Sequence, residues 1–327
     1  MTGAGGFIGL NLACFLARKG ARVVGFGRNE APAFADATGG TFFSGGITSS
    51  VLSAALATYG RPAAVYHLAG GATVGRSIAN PLQDFEESVV SSACVLDFLR
   101  RYAPDVPVVL ASSAAVYGGG HRGSIRVDSV IDPYSPYGHH KRMVEELGWS
   151  YHAGYGQPVA VTRLFSVYGE GLRKQLLWDI CRRLAAGEVD LVLDGTGAEV
   201  RDWHHVSDVV RLLHAVLPIG EPSFAIYNGG TGAPASVRTI SNMVLEAWGG
   251  NHRLSFSGKS RPGDPLSLIS DSSGVPEGFQ LQVPLGDGIA RYVDWYRAEV
   301  LGERIDQGRR RAPRPRLGSL WRNSIDD

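Results

Sequence analysis

The sequence has little that would tie it to a disulfide framework, a membrane or a nucleic acid. Its three cysteines, Cys14, Cys94 and Cys181, lie far apart among 327 residues, which predicts reduced thiols and a cytoplasmic location. No apolar run approaches the ~18 residues that a membrane-spanning helix needs. With 32 basic and 31 acidic residues, the formal net charge is +1, so binding to nucleic acid through a basic surface is not expected. What remains is an ordinary globular composition, 44% hydrophobic and 19% charged.

The most informative segment stands at the start of the chain. Gly3, Gly6 and Gly9 are spaced as in a phosphate-binding turn, and the residues after them have helical periodicity. Backbone that approaches a pyrophosphate needs residues without a Cβ atom, and the first turn of a helix directs free N–H groups at phosphates. A simple strand–helix turn would use glycine in the same way. Because only Met1 and Thr2 precede the turn, we expect a truncated first strand.

Short apolar runs alternate with longer amphipathic segments, which predicts an α/β fold with a Rossmann-type, doubly wound parallel sheet. We expect a dinucleotide-binding domain over residues 1–168, to which part of 200–235 contributes. A smaller substrate-binding lobe over 169–300 should include a hairpin near Val189–Val200. Residues 301–327 are basic and are expected to form a disordered tail, with an anion-binding arm as the alternative. The main strands are predicted at Arg22–Phe26, Ala63–Leu68, Pro107–Ser112 and Val159–Leu164, and the main helices at Ser50–Tyr59, Pro81–Tyr102, Pro136–Tyr155, Gln175–Ala186 and Val237–Trp248.

Three polar residues behind the glycine turn form a candidate catalytic group. Tyr137 and Lys141 are four residues apart on a predicted helix and so share one face. The neighbouring ammonium should lower the pKa of the phenol from its ordinary value of ~10 and make it a usable base. Ser113 stands at the carboxyl end of a predicted strand, where α/β folds form ligand crevices. Such a group suits the interconversion of an alcohol and a ketone, with hydride passing to or from a nicotinamide.

These features together resemble the extended short-chain dehydrogenase/reductase family, in particular its nucleotide-sugar epimerases, dehydratases and reductases. The resemblance runs from Thr2 to about Trp295. It implies that Ser113 polarises the substrate, that Tyr137 is the acid and base, and that Lys141 holds the nicotinamide ribose. It rests on the motifs TGAGGFIG (2–9), YHLA (66–69), SSAAVYG (112–118), PYSPY (133–137) with Lys141, RLF (163–165), RDWHHV (201–206) with Asp208, and RPGD (261–264).

The resemblance also indicates binding residues and an assembly. Guanidinium groups match phosphate oxygens bidentately, so Arg201 and Arg261 are expected to hold the diphosphate of the substrate. A structural ion pair with Asp202 or Asp208 is the alternative for Arg201. Relatives are homodimers that pack the helices at about Pro81–Tyr102 and Pro136–Tyr155, and we expect the same here. The expected dinucleotide contacts are Gly3, Gly6, Phe7, Ile8, Gly9, Arg28, Leu68, Ala69 and Lys141. The expected contacts to a nucleoside-diphosphate sugar are Ser112, Ser113, Ser166, Arg201 and Arg261.

Departures from the family pattern narrow the reaction. Ala114 and Ala115 replace residues that are acidic in 4,6-dehydratases, which disfavours dehydration and decarboxylation. The leading hypothesis is therefore NAD(P)-dependent 4-epimerisation of a nucleoside-diphosphate hexose. The alternatives are NADPH-dependent reduction of a 4-keto-6-deoxyhexose and a non-catalytic dinucleotide sensor. Gly27 lacks the acid that binds the ribose 2′-hydroxyl of NAD, and Arg28 would suit a 2′-phosphate, so NADP is slightly favoured.

Adjacent histidines raise the question of a metal site. His139 and His140 are neighbours in sequence, as are His204 and His205. Side chains of adjacent residues diverge in direction, and no cysteine or carboxylate spacing completes a tetrahedral ligand set. No metal is therefore expected.

Overall fold

The computed structural model describes residues 1–71, 73–218, 223–259, 265–271 and 274–303. A π-helical segment, Glu86–Val90, joins two helices, and a 3-10 turn, Ala114–Tyr117, follows the strand that ends at Ser113. The strands are β1 (Val24–Gly27), β2 (Thr41–Ser44), β3 (Val65–His67), β4 (Val108–Ser113), β5 (Ser124–Ile125), β6 (Val159–Leu164), β7 (Ser166–Tyr168), β8 (Asp190–Leu193), β9 (Val200–His205), β10 (Phe224–Gly229), β11 (Pro234–Ser236), β12 (Arg253–Phe256) and β13 (Ser267–Ser270). The helices are α1 (Phe7–Arg18), α2 (Pro32–Thr38), α3 (Ser49–Tyr59), α4 (Val74–Ala79), α5 (Pro81–Phe85), α6 (Ser91–Tyr102), α7 (Pro136–Tyr155), α8 (Gln175–Ala185), α9 (Val206–Ala215), α10 (Val237–Trp248) and α11 (Leu285–Leu301).

The main sheet is parallel and brings its strand ends to one edge. Strands β10, β6, β4 and β3 pair side by side in that order, and β1 pairs with β2. Thr2 links the two groups because it bridges both Phe26 of β1 and His67 of β3. Ser113 at the end of β4 is in register with Leu164 at the end of β6. The predicted α/β fold with a Rossmann-like parallel sheet is confirmed, and its carboxyl edge is where such folds bind ligands.

Helices cover both faces of this sheet. All six residues of β6 are buried, as expected for a strand with helices on both sides. Two apolar clusters lie on the two faces of the sheet, and a third is built mainly from α8, α10 and α11. No helix among the described residues combines the length and the apolar character needed to cross a membrane. The two clusters on the sheet include Leu12, Leu16, Val209 and Leu213 on the face of α1 and α9, and Leu52, Leu96, Leu99 and Val144 on the face of α3, α6 and α7.

Some predicted elements are corrected by the structure. The helix predicted over Pro81–Tyr102 is interrupted by the π-helical segment. The stretch Val189–Val200 is not a hairpin, because β8 pairs in parallel with β12 and Val200 begins β9, which pairs with β11. Alternating polarity reveals that a strand has one buried face, but it does not reveal the partner strand. Arg261 and the predicted tail beyond residue 303 lie outside the described residues.

A buried ion pair ties α7 to the sheet. Arg163 of β6, only 2% exposed at its side chain, forms two hydrogen bonds with the carboxylate of Glu145 on α7, at 2.9 and 2.7 Å. Its remaining nitrogen donates to the Tyr117 hydroxyl and the Val127 carbonyl oxygen, at 2.7 and 2.8 Å. The Ser112 hydroxyl donates to the same carboxylate. Because a buried guanidinium needs a counter-charge, this pair fixes α7 against β4 and β6.

Replacing Glu145 by glutamine should destabilise the protein strongly. The change leaves the Arg163 charge buried without its counter-charge, which typically costs about 3–5 kcal/mol of unfolding free energy. Urea unfolding monitored by circular dichroism measures this loss. The matched control is Asp190→Asn, which breaks the exposed ion pair with Arg253 and should leave the midpoint nearly unchanged. If the unfolding midpoints of both variants shift only slightly, the buried pair does not hold α7 against the sheet.

Candidate active site

A cavity of about 950 Å³ opens along the carboxyl edge of the main sheet. Its volume is in the range of cofactor and ligand sites. All the predicted site residues that lie in the described part of the chain contribute to its wall, so the structure brings them together. They are Gly3, Gly6, Phe7, Ile8, Gly9, Arg28, Leu68, Ala69, Ser112, Ser113, Tyr137, Lys141, Ser166 and Arg201.

The glycine turn forms one end of this cavity and fits a dinucleotide. Gly3 has a φ of +65°, and a Cβ atom there would lie 2.7 Å from the Ala69 nitrogen. A Cβ atom on Gly9 would collide with the Gly3 carbonyl oxygen. Gly6 precedes α1 without a side-chain cap, so the first N–H groups of the helix are not covered by a side chain of this residue. Glycine backbone and an uncapped helix start together suit a pyrophosphate.

The predicted catalytic trio comes from two elements that meet at the sheet edge. Ser113 is the last residue of β4, and Tyr137 and Lys141 lie in the first two turns of α7. That helix begins at Pro136 after Ser135, whose hydroxyl accepts a bond from the Gly138 nitrogen, a favourable start for a helix. The Lys141 Nζ atom lies 5.8 Å from the centre of the Tyr137 ring and donates to the Ala111 carbonyl oxygen at 3.0 Å.

Burial moves the pKa values of the two titratable members toward their neutral forms. Burial raises the pKa of the Tyr137 phenol above its ordinary value, and a hydrogen bond with Ser113 opposes this effect without reversing it. Burial also lowers the pKa of Lys141 to about 8, against the negative charges of Asp84 and Glu145. The pKa of Tyr137 is therefore raised in the protein alone, contrary to the expectation from its spacing to Lys141, because desolvation is the largest effect on the phenol.

A buried acid–base pair behind the trio was not predicted from the sequence. Asp84 of α5 and His140 of α7 are joined by a bond of 2.6 Å between Oδ2 and Nδ1. A side chain at residue 71 would overlap the Asp84 carboxylate, so Gly71 is required beside it. Asp84 is 56 residues from His140 in the chain, and only their packing brings them together.

Three of the four histidines considered for a metal have partners for their side chains within the protein. His140 bonds with Asp84, His204 Nδ1 lies 3.0 Å from the Gly229 carbonyl oxygen, and His205 Nε2 lies 3.0 Å from Glu170. In the described part of the chain, no three metal-binding side chains converge on one point.

The predicted substrate residues contribute to the wall of the same cavity. Ser166 of β7 and Arg201 of β9 line it, and Arg201 is half-buried with Nη1 donating to the Val200 carbonyl oxygen at 2.9 Å. Lys174 and Gln175 lie on the same wall, and Gln175 has a left-handed φ of +66°. Burial and the charge of Arg76 lower the pKa of Lys174.

Two residues that entered the substrate prediction have strong bonds elsewhere. Ser112 is buried and donates to Glu145, so while that bond holds its hydroxyl can only accept a hydrogen bond from a substrate. Asp208, one of the alternative partners of Arg201, pairs with Arg211 at 2.6 Å.

At the dinucleotide end, the predicted phosphate-binding arginine is paired with an acid that was not predicted. Arg28, just after β1, forms an ion pair with Glu87 of the π-helical segment. Glu87 also lies 3.2 Å from a guanidinium nitrogen of Arg76. No local sequence pattern links Arg28 with a residue 59 positions away, so this contact is visible only in the fold.

Comparisons with known proteins agree with this geometry. Residues 1–230 match the model of the NAD dependent epimerase/dehydratase family. The chain is 31% identical to a dTDP-glucose 4,6-dehydratase of Streptomyces griseus, over 71% of each chain. It is 30% identical to a UDP-glucose 4-epimerase of Azospirillum brasilense, over 91% of each chain.

The solved structure of MoeE5 in complex with UDP-glucuronic acid and NAD is similar to the chain as well. It superposes with a TM-score of 0.80 at 30% identity, covering 91% of this chain and 98% of that one. Because dehydratases and epimerases are both among the relatives, the comparisons do not support the predicted exclusion of dehydration. The predicted resemblance itself is confirmed, and the chain belongs to the NAD-dependent epimerase/dehydratase family.

Proposed function

We propose that the protein is an NAD(P)-dependent 4-epimerase of nucleoside-diphosphate hexoses. The observation that carries this proposal is that Ser113, Tyr137 and Lys141 share one cavity wall with the glycine turn. An alcohol–ketone interconversion needs an acid/base group beside a hydride acceptor, and this arrangement supplies both positions. The names of the Azospirillum relative, a UDP-glucose 4-epimerase, and of the MoeE5 complex with NAD agree with it.

The chain's own residues would bind the cofactor and move a proton. The glycine turn would hold the pyrophosphate, and Lys141 the nicotinamide ribose. A bound nicotinamide supplies the hydride acceptor and, when oxidised, a positive charge. Tyr137 would take the proton of the C4 hydroxyl, with the Ser113 hydroxyl bonded to the same oxygen. For epimerisation, Tyr137 then returns the proton after the sugar has turned its other face, so the sugar must be held mainly through its diphosphate.

The charge on Lys141 supports this role at neutral pH. Its pKa of about 8 lies above neutrality, so the ammonium form predominates there. The Tyr137 phenol, whose pKa is raised by burial, stays protonated in the protein alone. A positive charge bound next to the phenol would lower its pKa, which links the fraction of phenolate to occupancy of the cofactor site.

We propose epimerisation rather than dehydration because of the residues after Ser113. Ala114 and Ala115 line the cavity and have no group that can move a proton at C5 or C6. Among the described residues, the acids that line the cavity are Glu30, Glu86 and Glu87, and these stand on the β1 turn and the π-helical segment rather than at the end of β4. Reduction of a keto sugar uses the same trio once, without rotation of the sugar.

The end of the cavity near Ser166 and Arg201 is proposed as the sugar and diphosphate site. Arg201 and Lys174 together provide cationic groups on that wall, and a diphosphate needs more than one. Arg201 donates to a main-chain oxygen through Nη1, which orients the guanidinium. The division into a dinucleotide domain before residue 169 and a sugar-binding lobe after it remains part of this proposal.

We further propose that the protein is a homodimer. The helices α5, α6 and α7 pack together along one side of the sheet. Leu82 and Met143 are exposed apolar side chains on this helical surface. A second copy placed against the same helices would remove them from water.

The reaction is tested by incubating the purified protein with NAD and a panel of nucleoside-diphosphate hexoses, without added reductant. We expect the C4 epimer to accumulate to an equilibrium mixture, detected by nuclear magnetic resonance. A product lighter by one water would identify a dehydratase. Stoichiometric consumption of NADPH with a 4-keto sugar would identify a reductase, and tight dinucleotide binding without any turnover would identify a sensor.

Removing the phenol hydroxyl should abolish catalysis without abolishing cofactor binding. We expect Tyr137→Phe to lower kcat by about 10²–10⁴-fold, the usual contribution of a general acid or base. The dissociation constant of the dinucleotide should change little. Tyr151→Phe, on the same helix but packed in the apolar cluster facing α6, is the control and should keep its turnover. Wild-type kcat in Tyr137→Phe would remove this residue from the mechanism.

The buried ammonium of Lys141 should make stability depend on pH. Its pKa is about 8 in the folded protein against 10.5 for an ordinary lysine, so the unfolded chain binds more protons between these values. The folding stability is therefore highest above pH 10.5, where Lys141 is neutral in both states. It falls as the pH drops from 10.5 to about 8. Relative to Lys141→Met, the wild type should thus gain roughly 3 kcal/mol as the pH rises across this window.

Urea unfolding of nucleotide-free protein at a series of pH values measures this difference. The exposed Lys259, changed to methionine, is the control and should show no comparable divergence from the wild type. Parallel stability curves for the wild type and Lys141→Met would mean that the ammonium is not desolvated.

A further inference from the structure

The buried ammonium of Lys141 needs a counter-charge that its bond to the main chain does not supply. The residue is 4% exposed, and Nζ donates to the neutral carbonyl oxygen of Ala111 at 3.0 Å. A buried charge is costly unless a group of opposite sign lies close to it. Two acids meet this need, because the charges of Asp84 and Glu145 both oppose the loss of the Lys141 proton.

One of these acids, Glu145, is already paired with a buried cation. Both of its carboxylate oxygens bond with the Arg163 guanidinium, and the Ser112 hydroxyl donates to one of them. Because this ion pair is neutral as a whole, its field at a third group is weaker than that of a single carboxylate. Glu145 accordingly has a smaller effect on Lys141 than Asp84 has.

Two further titratable groups near the ammonium, His67 of β3 and Tyr137, are uncharged. Burial first, and then the charge of Lys141, lowers the pKa of His67 to about 3. Burial raises the pKa of Tyr137 above its ordinary value. Both side chains are therefore neutral at physiological pH and add no negative charge. Asp84 of α5 is left as the main counter-charge to Lys141.

Two consecutive glycines give the ammonium and the Asp84 carboxylate their places against one loop. A Cβ atom on Gly70 would lie 3.0 Å from the Lys141 Nζ atom. A Cβ atom on Gly71 would overlap the Asp84 carboxylate. Both charged groups therefore pack against the bare backbone of this dipeptide, which lies shortly after β3.

His140 holds the Asp84 carboxylate in place and, as a neutral imidazole, leaves its charge intact. Nδ1 of His140 lies 2.6 Å from Oδ2 of Asp84, and the two side chains are 11% and 3% exposed. Because an ionised carboxylate only accepts hydrogen bonds, the imidazole must carry a proton on Nδ1. The neutral tautomer with this proton orients the carboxylate, and the full negative charge remains available to Lys141.

We propose that Asp84 is the counter-charge that keeps Lys141 an ammonium, and that neutral His140 fixes the position of this carboxylate. This inference deepens the proposed function and rests on it for the role of Lys141 at the nicotinamide ribose. Asp84 acts through Lys141, so it is a positioning residue. In Asp84→Asn, the side-chain oxygen can still accept from His140 while the negative charge is lost. Desolvation of Lys141 is then opposed mainly by Glu145, and the pKa of the ammonium falls below its wild-type value.

Urea unfolding of nucleotide-free protein at a series of pH values tests the counter-charge. In the wild type, the stability difference from Lys141→Met should stop changing once the pH has fallen to about 8. In Asp84→Asn, compared with the double variant that also carries Lys141→Met, this difference should continue to change to a pH at least about one unit lower. His140→Asn is the matched control, because its amide can donate to the same carboxylate without removing the charge. The pH at which its difference levels off should agree with that of the wild type.

A measurement on the wild type keeps the proposal testable if Asp84→Asn does not fold. Nitrogen nuclear magnetic resonance of histidine-labelled protein at about pH 8 should show His140 as a neutral imidazole protonated on Nδ1. An imidazolium protonated on both nitrogens would cancel the charge of Asp84 and overturn the proposal.

Turnover separates this inference from the proposed function. If both are right, the loss of epimerase activity on the alkaline side begins at a lower pH in Asp84→Asn than in the wild type. A shifted stability curve without any sugar turnover would uphold the inference while the proposed function fails. Sugar turnover together with an unshifted curve in folded Asp84→Asn would overturn the inference and leave the proposed function standing.

Discussion

The ion pair between Arg163 and Glu145 is the interaction on which the arrangement of the cavity depends. This buried, bidentate pair joins β6, which lies beside β4, to α7, the helix that carries Tyr137 and Lys141. Since Ser113 ends β4, the distance between the serine and the phenol is set by how α7 lies on the sheet. A charged pair with two defined bonds permits fewer orientations than apolar packing would. The geometry of the trio thus follows from a contact that lies outside it.

Burial shifts the pKa values of the two titratable groups at the site in opposite directions, and both shifts favour the neutral form. It keeps the Tyr137 phenol neutral and brings the Lys141 ammonium close to losing its proton. The Tyr137 phenol is therefore protonated in the protein alone, and a positive charge bound nearby would favour the phenolate by lowering its pKa.

Much of the fold was predictable because hydrophobic periodicity reports which face of an element is buried. The bounds of α7, β6 and α10 agree with prediction, and the trio and the glycine turn were found from spacing and residue type. The predictions that failed concern long-range contacts. The partner of β8 is β12, some 60 residues away, and the charge facing Arg28 comes from Glu87. The direction of the pKa shift of Tyr137 also failed, because spacing gives neighbours but not the loss of water around them.

The backbone at Gln175 has a consequence for the other end of the cavity. This residue starts α8 with a φ of +66°, a left-handed conformation that a side chain with a Cβ atom disfavours. Such strain costs on the order of 1–3 kcal/mol, and a glycine would adopt the same turn almost freely. A glutamine at this position therefore lowers the overall stability relative to a glycine, and favourable contacts elsewhere in the fold must offset that cost.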